Sequence, residues 1–247
     1  MLAIIGGSGL SELANLDTQR REVVRTPFGE PSGPLTFGRL CGRTTVFIAR
    51  HGYGHSILPH EINYCANLWA LSHVGVTRIV AVASVGGIGA AMLPGTLVVP
   101  HQIIDYTWGR RGTFQDGSDA PVLHIDFTHP YDPDLRRLLL DGALAAGDAA
   151  IDGAVYAATQ GPRLETAAEI DRLARDGADV VGMTGMPEAS LARELGLPYA
   201  AIVVVANHAA GRGESAEGIS LARVETEVLQ PAMARVRRIL EHTCVIA

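Results

Sequence analysis

The feature that most constrains the fold is a series of short apolar runs, each of which ends in glycine or polar residues. These runs span residues 2–5, 45–49, 79–85, 95–99, 153–158, 179–183 and 199–206. Continuous apolar character is typical of strands that are buried on both faces, as in a parallel sheet. The runs therefore predict the strands of a sheet that is covered on both sides.

Helical patterns lie between the apolar runs, and they span 62–73, 134–146, 166–176, 187–195 and 221–242. Thr166 and Glu169 match a capping box at the start of one of them. Because strand and helix alternate, the sequence predicts an α/β fold with a mixed, mostly parallel sheet flanked by helices. No linker or repeat divides the chain, so we expect a single domain over 1–247. The segment 105–133 lacks periodicity and predicts a long functional loop.

Composition excludes several classes of partner. The formal net charge is −6 at pH 7, so the chain offers no general attraction to nucleic acid or to an anionic membrane. Cys41, Cys65 and Cys244 are too widely spaced for a disulfide framework or a zinc site. The amino terminus starts on a predicted strand, and no run has the roughly 18 apolar residues of a membrane span. We therefore expect a cytoplasmic protein with a small-molecule partner.

Two glycine-rich turns follow predicted strands, and each carries a serine. Ser8 lies in G-G-S-G directly after the first strand, and Ser84 begins S-V-G-G-I-G at the end of the third. Such turns let backbone N–H groups and a hydroxyl converge on an anion, because glycine tolerates close approach and positive φ. Each turn taken alone is equally well explained as a tight turn or as close strand–helix packing.

Arg50, His51 and His55 lie within six residues after another predicted strand. A guanidinium beside an imidazole at a strand end can bind an oxyanion through charge-assisted hydrogen bonds. A solvated arginine with two surface histidines is the alternative. No carboxylate or cysteine nearby in the sequence completes a set of metal ligands, so we predict no metal site.

Three later strand ends add further polar groups. Glu165 lies in the turn G-P-R-L-E-T, where its carboxylate either accepts a hydrogen bond from a ligand or remains in solvent. Met183 and Thr184 follow the next strand; Met183 fits an apolar ligand slot or ordinary core packing, and Thr184 can donate to an anion. Asn207 follows the last predicted strand, where a buried amide needs hydrogen-bond partners.

Six separated motifs occur in order across nearly the whole chain: I-I-G-G-S-G-L, T-P-F-G-E-P-S, A-R-H-G-x-x-H, N-Y-x-A-N-x-W-A-L, G-P-R-x-E-T and G-M-T-x-x-P-E. Together they resemble the purine nucleoside phosphorylase and methylthioadenosine phosphorylase family. The resemblance implies a homotrimeric α/β enzyme that uses inorganic phosphate as co-substrate and has no cofactor or metal. It implies that Met183 lies against the ribose. It also implies that phosphate is bound by Ser8, Arg50, His51, Ser84 and Thr184.

The resemblance makes position 207 informative about the purine. Methylthioadenosine phosphorylases have Asp there and a second Asp two residues later, whereas this chain has Asn207 and Ala209. An asparagine donates to a 6-oxo group and accepts from N7–H, while an ionised aspartate only accepts. Glu165 matches the carboxylate that accepts from N1–H in 6-oxopurine enzymes. Both positions predict a hypoxanthine or guanine base, with Asn207 and Glu165 as the catalytic residues.

The sugar end is more similar to the methylthioadenosine enzymes. His55 completes R-H-G-x-x-H, and apolar Leu221 stands where enzymes that bind a 5'-hydroxyl have a histidine. His124 matches a residue that a neighbouring subunit contributes to the 5' pocket. Leu164 replaces an aromatic residue of the family, so aliphatic contact would replace stacking on the base.

The two ends together predict phosphorolysis of 5'-methylthioinosine to hypoxanthine and 5-methylthioribose 1-phosphate. A general inosine and guanosine phosphorylase, a methylthioadenosine phosphorylase and a hydrolytic nucleosidase are the alternatives among enzymes. A nucleoside-binding protein without catalysis is the alternative from another class.

Overall fold

The predicted strands form part of one mixed sheet of eleven strands in a computed structural model that describes residues 1–115, 117 and 122–246. The strands are β1 (Leu2–Gly6), β2 (Asp17–Glu22), β3 (Leu35–Leu40), β4 (Arg43–Ala49), β5 (Arg78–Gly87), β6 (Leu97–Val99), β7 (Gln102–Asp105), β8 (Ala150–Asp152), β9 (Val155–Ala158), β10 (Val180–Gly182) and β11 (Tyr199–His208). All seven predicted strands are confirmed. The short strands β7 and β8 and the pair β2–β3 were not predicted.

The helices also follow the predicted pattern. They are α1 (Tyr64–His73), α2 (Pro133–Ala145), α3 (Ala167–Arg175), α4 (Glu188–Glu194), α5 (Leu221–Val224) and α6 (Gln230–Ile246). The predicted terminal helix is interrupted by a π-helical turn at Glu225–Leu229, which separates α5 from α6. The capping box is confirmed, because Thr166 Oγ1 accepts from the Glu169 N–H and the Glu169 carboxylate accepts from the Thr166 N–H. In the predicted functional loop, the described part of 106–132 contains neither helix nor strand.

The strands are buried on both faces, as their continuous apolar sequences predict. Successive residues of β1 show this, since Ala3 and Ile5 belong to one core cluster and Ile4 belongs to another. Residues of α1 and α4 contribute to the first cluster, and residues of α2 and α6 to the second. The result is a mixed, mostly parallel sheet between two helical layers, an α/β fold.

The centre of the sheet brings several strand ends to one place. Strands β4, β1, β5 and β11 are mutually parallel, so the turns that follow them lie at a common edge. Strand β10 pairs with the last residues of β5 in the antiparallel sense, with Val181 opposite Gly86. The chain leaving β10 therefore runs back alongside β5, and Val85 lies within 3.1 Å of the position that a Cβ on Gly182 would occupy.

A β-bulge interrupts the pairing of β11 with β5 between Val205 and Asn207. In a regular strand, consecutive side chains point to opposite faces, but a bulge re-aims them. Ala206 and Asn207 consequently both line the same cavity.

None of the helices within the described ranges combines the length and the apolar character that crossing a membrane would require.

The contact between α2 and α6 provides a test of the packing. A Cβ at Gly142 would lie 2.2 Å from Thr243 Oγ1 and 3.1 Å from the Ile239 carbonyl oxygen. We expect Gly142→Ala to lower the free energy of unfolding by about 1–3 kcal/mol through overpacking. That loss exceeds the gain of about 1 kcal/mol that alanine normally brings to a helix interior.

Urea denaturation measures this effect. Leu144→Ala, at an exposed position of the same helix, is the control and should change stability by no more than about 0.5 kcal/mol. Adding Thr243→Ala to Gly142→Ala should restore part of the loss. A Gly142→Ala variant more stable than the parent would show that α6 moves away at little cost.

Candidate active site

A cavity of about 400 Å³ lies at the edge of the sheet where the strand ends meet. It is lined by every residue predicted for the site except His124, which means Ser8, Arg50, His51, His55, Ser84, Leu164, Glu165, Met183, Thr184, Asn207, Ala209 and Leu221. These residues come from turns and strand ends that are far apart in the sequence. The fold therefore brings the predicted site residues together.

The turn after β1 closely approaches the neighbouring strands. A Cβ at Gly7 would lie 2.6 Å from the Val82 carbonyl oxygen and 2.7 Å from Arg50 Nη1. Only glycine fits there. Because glycine has no side chain, the Arg50 guanidinium stays accessible from the turn. Ser8 Oγ lies beside His55, 3.4 Å from its Nε2.

Arg50 is 1% exposed and forms an ion pair with Glu188, which is fully buried. Its Nε donates to Glu188 Oε2 at 2.6 Å and its Nη2 donates to Oε1 at 2.8 Å. Nη1 donates to the Val82 carbonyl at 3.0 Å, and the Tyr199 hydroxyl donates to Glu188 Oε1 at 2.8 Å. Burial lowers the pKa of Arg50, but the charge and hydrogen bonds of Glu188 outweigh burial and raise that pKa above its usual value.

The rings of the two histidines of the site lie against each other, with centroids 4.2 Å apart and planes tilted by 33°. His51 Nδ1 lies 2.9 Å from the Ile57 carbonyl oxygen, which only accepts, so Nδ1 carries the proton. Burial and the charge of Arg50 lower the pKa of His51 to about 4, and burial also lowers the pKa of His55. His51 is therefore neutral at pH 7, with an unprotonated Nε2 that can accept a hydrogen bond.

The opposite end of the cavity presents an amide and a carboxylate. Asn207 Nδ2 donates to the His208 carbonyl at 2.6 Å, which leaves its second N–H and its Oδ1 available to a ligand. Glu165 Oε1 accepts from Thr159 Oγ1 at 2.6 Å. Leu164 is 38% exposed at the rim, and buried Ala209 forms part of the wall behind Asn207.

Met183 also contributes to the wall of the cavity. Gly161, at φ +62°, faces it, and a Cβ at Gly161 would lie 2.4 Å from Met183 Sδ. The methionine is half-buried and lines the cavity, so it is not simply a core residue. Thr184 is buried beside it, and its backbone N–H donates to the Tyr156 hydroxyl at 3.4 Å.

The third side of the cavity is formed by the segment around α5. Leu221 is 62% exposed, and Ile219, Val224 and Glu225 line the cavity with it. The π-helical turn begins at Glu225, and such turns are frequent at functional sites. His124 lies elsewhere within the same chain and is exposed.

Some residues that line the cavity or hold its lining residues in place were not predicted. Glu188 ends the motif G-M-T-x-x-P-E, but its sequence position gives no indication that it pairs with Arg50. Glu225 and the segment Ile57–Pro59 carry no motif. Among residues 1–115, 117 and 122–246, no three His, Cys, Asp or Glu side chains form a group that could hold a metal ion.

The arrangement has three chemically distinct parts. Ser8, Arg50 and His51 converge as hydroxyl, guanidinium and imidazole groups, which suit an oxyanion. Asn207 and Glu165 offer donors and acceptors that suit a polar heterocycle. Leu221 and its neighbours form an apolar third side. Ligands that fill all three parts place an anionic group in the first and a heterocycle in the second, with a connecting group beside Met183.

Known proteins are similar to this chain in sequence and in fold. The family model described as the phosphorylase superfamily matches residues 1–243. A probable S-methyl-5'-thioinosine phosphorylase of Xanthomonas campestris is 52% identical over 227 residues, which cover 92% of this chain and 90% of the relative. The 6-oxopurine nucleoside phosphorylase of Pyrococcus furiosus is 47% identical over 215 residues, 85% of this chain and 80% of the relative.

Among solved structures, methylthioadenosine phosphorylase from Schistosoma mansoni in complex with adenine superposes with a TM-score of 0.93. The two sequences are 33% identical, and the match covers 99% of this chain and 91% of the other. The likeness thus extends over the sheet, the helices and the segments that line the cavity. This chain belongs to the phosphorylase superfamily.

Proposed function

We propose that the protein is a phosphate-dependent purine nucleoside phosphorylase whose substrate is S-methyl-5'-thioinosine. The products are hypoxanthine and 5-methylthioribose 1-phosphate. The observation that carries this proposal is that one cavity joins the Ser8–Arg50–His51 end, the Asn207–Glu165 end and the apolar side at Leu221. The first end fits phosphate, the second fits a 6-oxopurine, and the third fits a methylthio group.

Phosphate binds where hydrogen-bond donors converge. The Arg50 N–H groups that Glu188 and Val82 leave free, the hydroxyls of Ser8, Ser84 and Thr184, and backbone N–H groups of the glycine turns serve as donors. Neutral His51 accepts at Nε2 from the P–OH group of the phosphate. The bound phosphate is held close to C1' of the ribose, beside Met183, and it stabilises positive charge that develops on the sugar.

A phosphate oxygen forms a bond to C1' as the glycosidic bond breaks, and the purine leaves with the electron pair of that bond. The base takes up a proton at N7 from water, and the sugar phosphate releases the former P–OH proton to water. Asn207 is held by its hydrogen bond to the His208 carbonyl, and its free N–H and Oδ1 contact O6 and N7–H of the departing base. Glu165, held by Thr159, accepts from N1–H. Adenine has no N1–H at neutral pH, so this pair favours a 6-oxopurine. The stabilisation grows as charge accumulates on the base, which lowers the barrier.

The sugar end selects the 5' substituent. Leu221, Ile219 and Val224 line one side, and an apolar methylthio group buries more favourably against them than a hydroxyl does. His55 links this side to the anion end, because it contacts Ser8 and His51 and also feels the charge of Glu225. The Xanthomonas campestris relative named as a probable S-methyl-5'-thioinosine phosphorylase, at 52% identity, supports the same substrate.

A general 6-oxopurine nucleoside phosphorylase is the second candidate. Glu225 lines the cavity close to Leu221, and its carboxylate can accept a hydrogen bond from a 5'-hydroxyl. The Pyrococcus furiosus relative carries the name of that activity. Methylthioadenosine phosphorylase, the name of the structural neighbour, is less well supported because Asn207 and Ala209 replace the aspartates expected for adenine.

The proposed enzyme needs phosphate as a co-substrate and no cofactor or metal. We place it in the cytoplasm, as a homotrimer with active sites near the subunit interfaces and without nucleic-acid or membrane partners. In this arrangement the exposed His124 reaches the 5' pocket of a neighbouring subunit, which accounts for why it does not line the cavity of its own chain. Exposed Trp108 and Leu123 on the same loop supply apolar surface for such an interface.

The proposal is tested by kcat/KM for methylthioinosine, methylthioadenosine, inosine and adenosine, each with and without phosphate. We expect methylthioinosine to be cleaved best and cleavage to require phosphate. A higher kcat/KM for inosine would reject the methylthio pocket in favour of the general enzyme. Equal cleavage without phosphate would identify a hydrolase, and purine binding without cleavage of any nucleoside would identify a binding protein.

Asn207 is tested by substitution. Asn207→Ala removes one hydrogen bond to the departing base, and we expect kcat to fall by about 100-fold or more. Asn207→Asp retains only acceptors and should lower the preference for methylthioinosine over methylthioadenosine. Steady-state kinetics with both substrates measure the two effects. An unchanged kcat/KM in Asn207→Ala would remove this residue from the mechanism.

The anion end is tested at the glycine turn. Gly7→Ala places a methyl group 2.7 Å from the present position of Arg50 Nη1, and displacement of the guanidinium should raise the KM for phosphate by about tenfold or more. Gly33→Ala is the matched control, because a Cβ there meets nothing within 4 Å. If both variants keep the parent's KM for phosphate, phosphate does not bind at Arg50.

A further inference from the structure

Arg110 makes hydrogen bonds to two separate turns, each of which contributes other residues to the lining of the active-site cavity. Its Nη1 donates to the carbonyl oxygens of Met183, at 2.8 Å, and Met186, at 2.6 Å. Its Nη2 donates to the carbonyl oxygens of Gln160, at 2.9 Å, and Thr159, at 3.3 Å. One guanidinium therefore bridges the turn that follows β9 and the turn that follows β10.

The two turns carry different parts of the proposed recognition. The turn after β9, residues 159–166, holds Glu165, which faces the base; the turn after β10, residues 183–187, holds Met183 and Thr184, which face the ribose and phosphate. The Thr159 hydroxyl also donates a hydrogen bond to the Glu165 carboxylate. The residue whose carbonyl accepts from Arg110 therefore also holds the carboxylate that binds the base.

The regular ladder between β9 and β10 stops just before these turns. Its pairing extends to Ala158 opposite Gly182, and the Thr159 N–H makes one more bond to the Gly182 carbonyl. Beyond this point the backbones separate, and carbonyl groups that leave a ladder need other partners when they are partly buried. The planar guanidinium supplies several donors in a fixed geometry, which sets the spacing of the turns it joins.

The other acceptors of Arg110 support the same interpretation. Its Nε donates to Gln160 Oε1 at 3.2 Å, and Nη1 lies 3.3 Å from the Tyr64 hydroxyl, which itself donates to the Pro59 carbonyl at 2.9 Å. None of these acceptors is a carboxylate, so Arg110 differs from Arg50, whose main partner is a buried glutamate. Pro59 lines the cavity, so the network reaches a third segment of its wall.

We propose that Arg110 is a positioning residue that fixes the base-binding turn relative to the ribose-binding turn. This role rests on the proposed phosphorylase function. Arg110 contacts no reacting group; it acts by holding Glu165 and Met183 at the separation that a nucleoside requires. A displacement of about 1 Å between such groups can reduce turnover by about 100-fold.

The neighbouring Arg111 provides a matched control. It lies on the same loop and carries the same charge, but its side chain is exposed and its Nε donates to the Thr113 carbonyl, two residues away. Its guanidinium lies over the Phe28 ring, 4.9 Å from the centroid. Arg111→Ala removes an arginine without removing a bridge between the two turns.

The experiment compares Arg110→Ala, Arg110→Lys and Arg111→Ala with the parent enzyme. We expect Arg110→Ala to lower kcat/KM for the nucleoside by about 100-fold, while the Kd for hypoxanthine alone and the KM for phosphate change much less. Of the two turns that Arg110 joins, hypoxanthine contacts only the one that holds Glu165, so its affinity does not depend on the spacing between them. Arg111→Ala should remain within about threefold of the parent.

Two further measurements separate positioning from a general loss of structure. Guanidinium ion at millimolar concentration should restore activity to Arg110→Ala by occupying the vacated site, with methylammonium as the comparison ion. Arg110→Lys, which keeps the charge but not the planar fork, should be folded by circular dichroism and only partly active. If Arg110→Ala does not fold, the kinetics of Arg110→Lys provide the test of the positioning role.

Two outcomes would overturn the inference. Equal activity of Arg110→Ala and Arg111→Ala would show that the bridge has no role in turnover. Parallel losses of hypoxanthine affinity, phosphate affinity and thermal stability, without rescue by guanidinium, would show a general structural role. A parent enzyme that cleaves no nucleoside in phosphate would instead reject the proposed function itself, and the role of Arg110 with it.

Discussion

The ion pair between Arg50 and Glu188 is the interaction on which the arrangement of the site depends. Both side chains are buried, and removal of one partner from such a pair typically costs about 3–5 kcal/mol. Arg50 follows β4 and Glu188 begins α4, while Val82 of β5 and Tyr199 of β11 complete the hydrogen bonds. The pair therefore couples the positions of four elements that meet at the edge of the sheet, and the remaining N–H groups of Arg50 face the cavity from a fixed position.

The same pair determines how the cavity attracts an anion. Glu188 balances the charge of Arg50, and the lowered pKa values of His51 and His55 keep both rings neutral at pH 7. The protein as a whole carries a charge of −6. Binding of an oxyanion must therefore come from short-range hydrogen bonds rather than from a positive field. A bound anion next to the histidines would raise their pKa values again, which links binding to proton uptake.

The sequence predicts the central strands because burial on both faces gives them continuous apolar runs, as in β1, β5 and β11. It does not predict β2, whose six residues are all exposed, or β8, which has only three residues. The sequence also identifies the cavity residues next to strand ends, because the turns that follow parallel strands lie at one edge of the sheet.

The sequence does not identify the partners of Arg50 and Arg110. Glu188 is 138 residues from Arg50, and the acceptors of Arg110 are mostly backbone carbonyls, which have no sequence signature.

The irregular parts of the fold coincide with the groups proposed to select the substrate. The groups proposed to bind phosphate, such as Ser8 and Arg50, follow regular parallel strands, whereas Asn207 stands at the β-bulge of β11 and Leu221 precedes a π-helical turn. Met183 reaches the site only because β10 runs antiparallel to β5. The base end and the sugar end of the cavity are thus built on two separate irregular elements, the bulge of β11 and the segment around α5. Neither element belongs to the regular parallel strands that place Ser8 and Arg50, so each end is positioned by its own local structure.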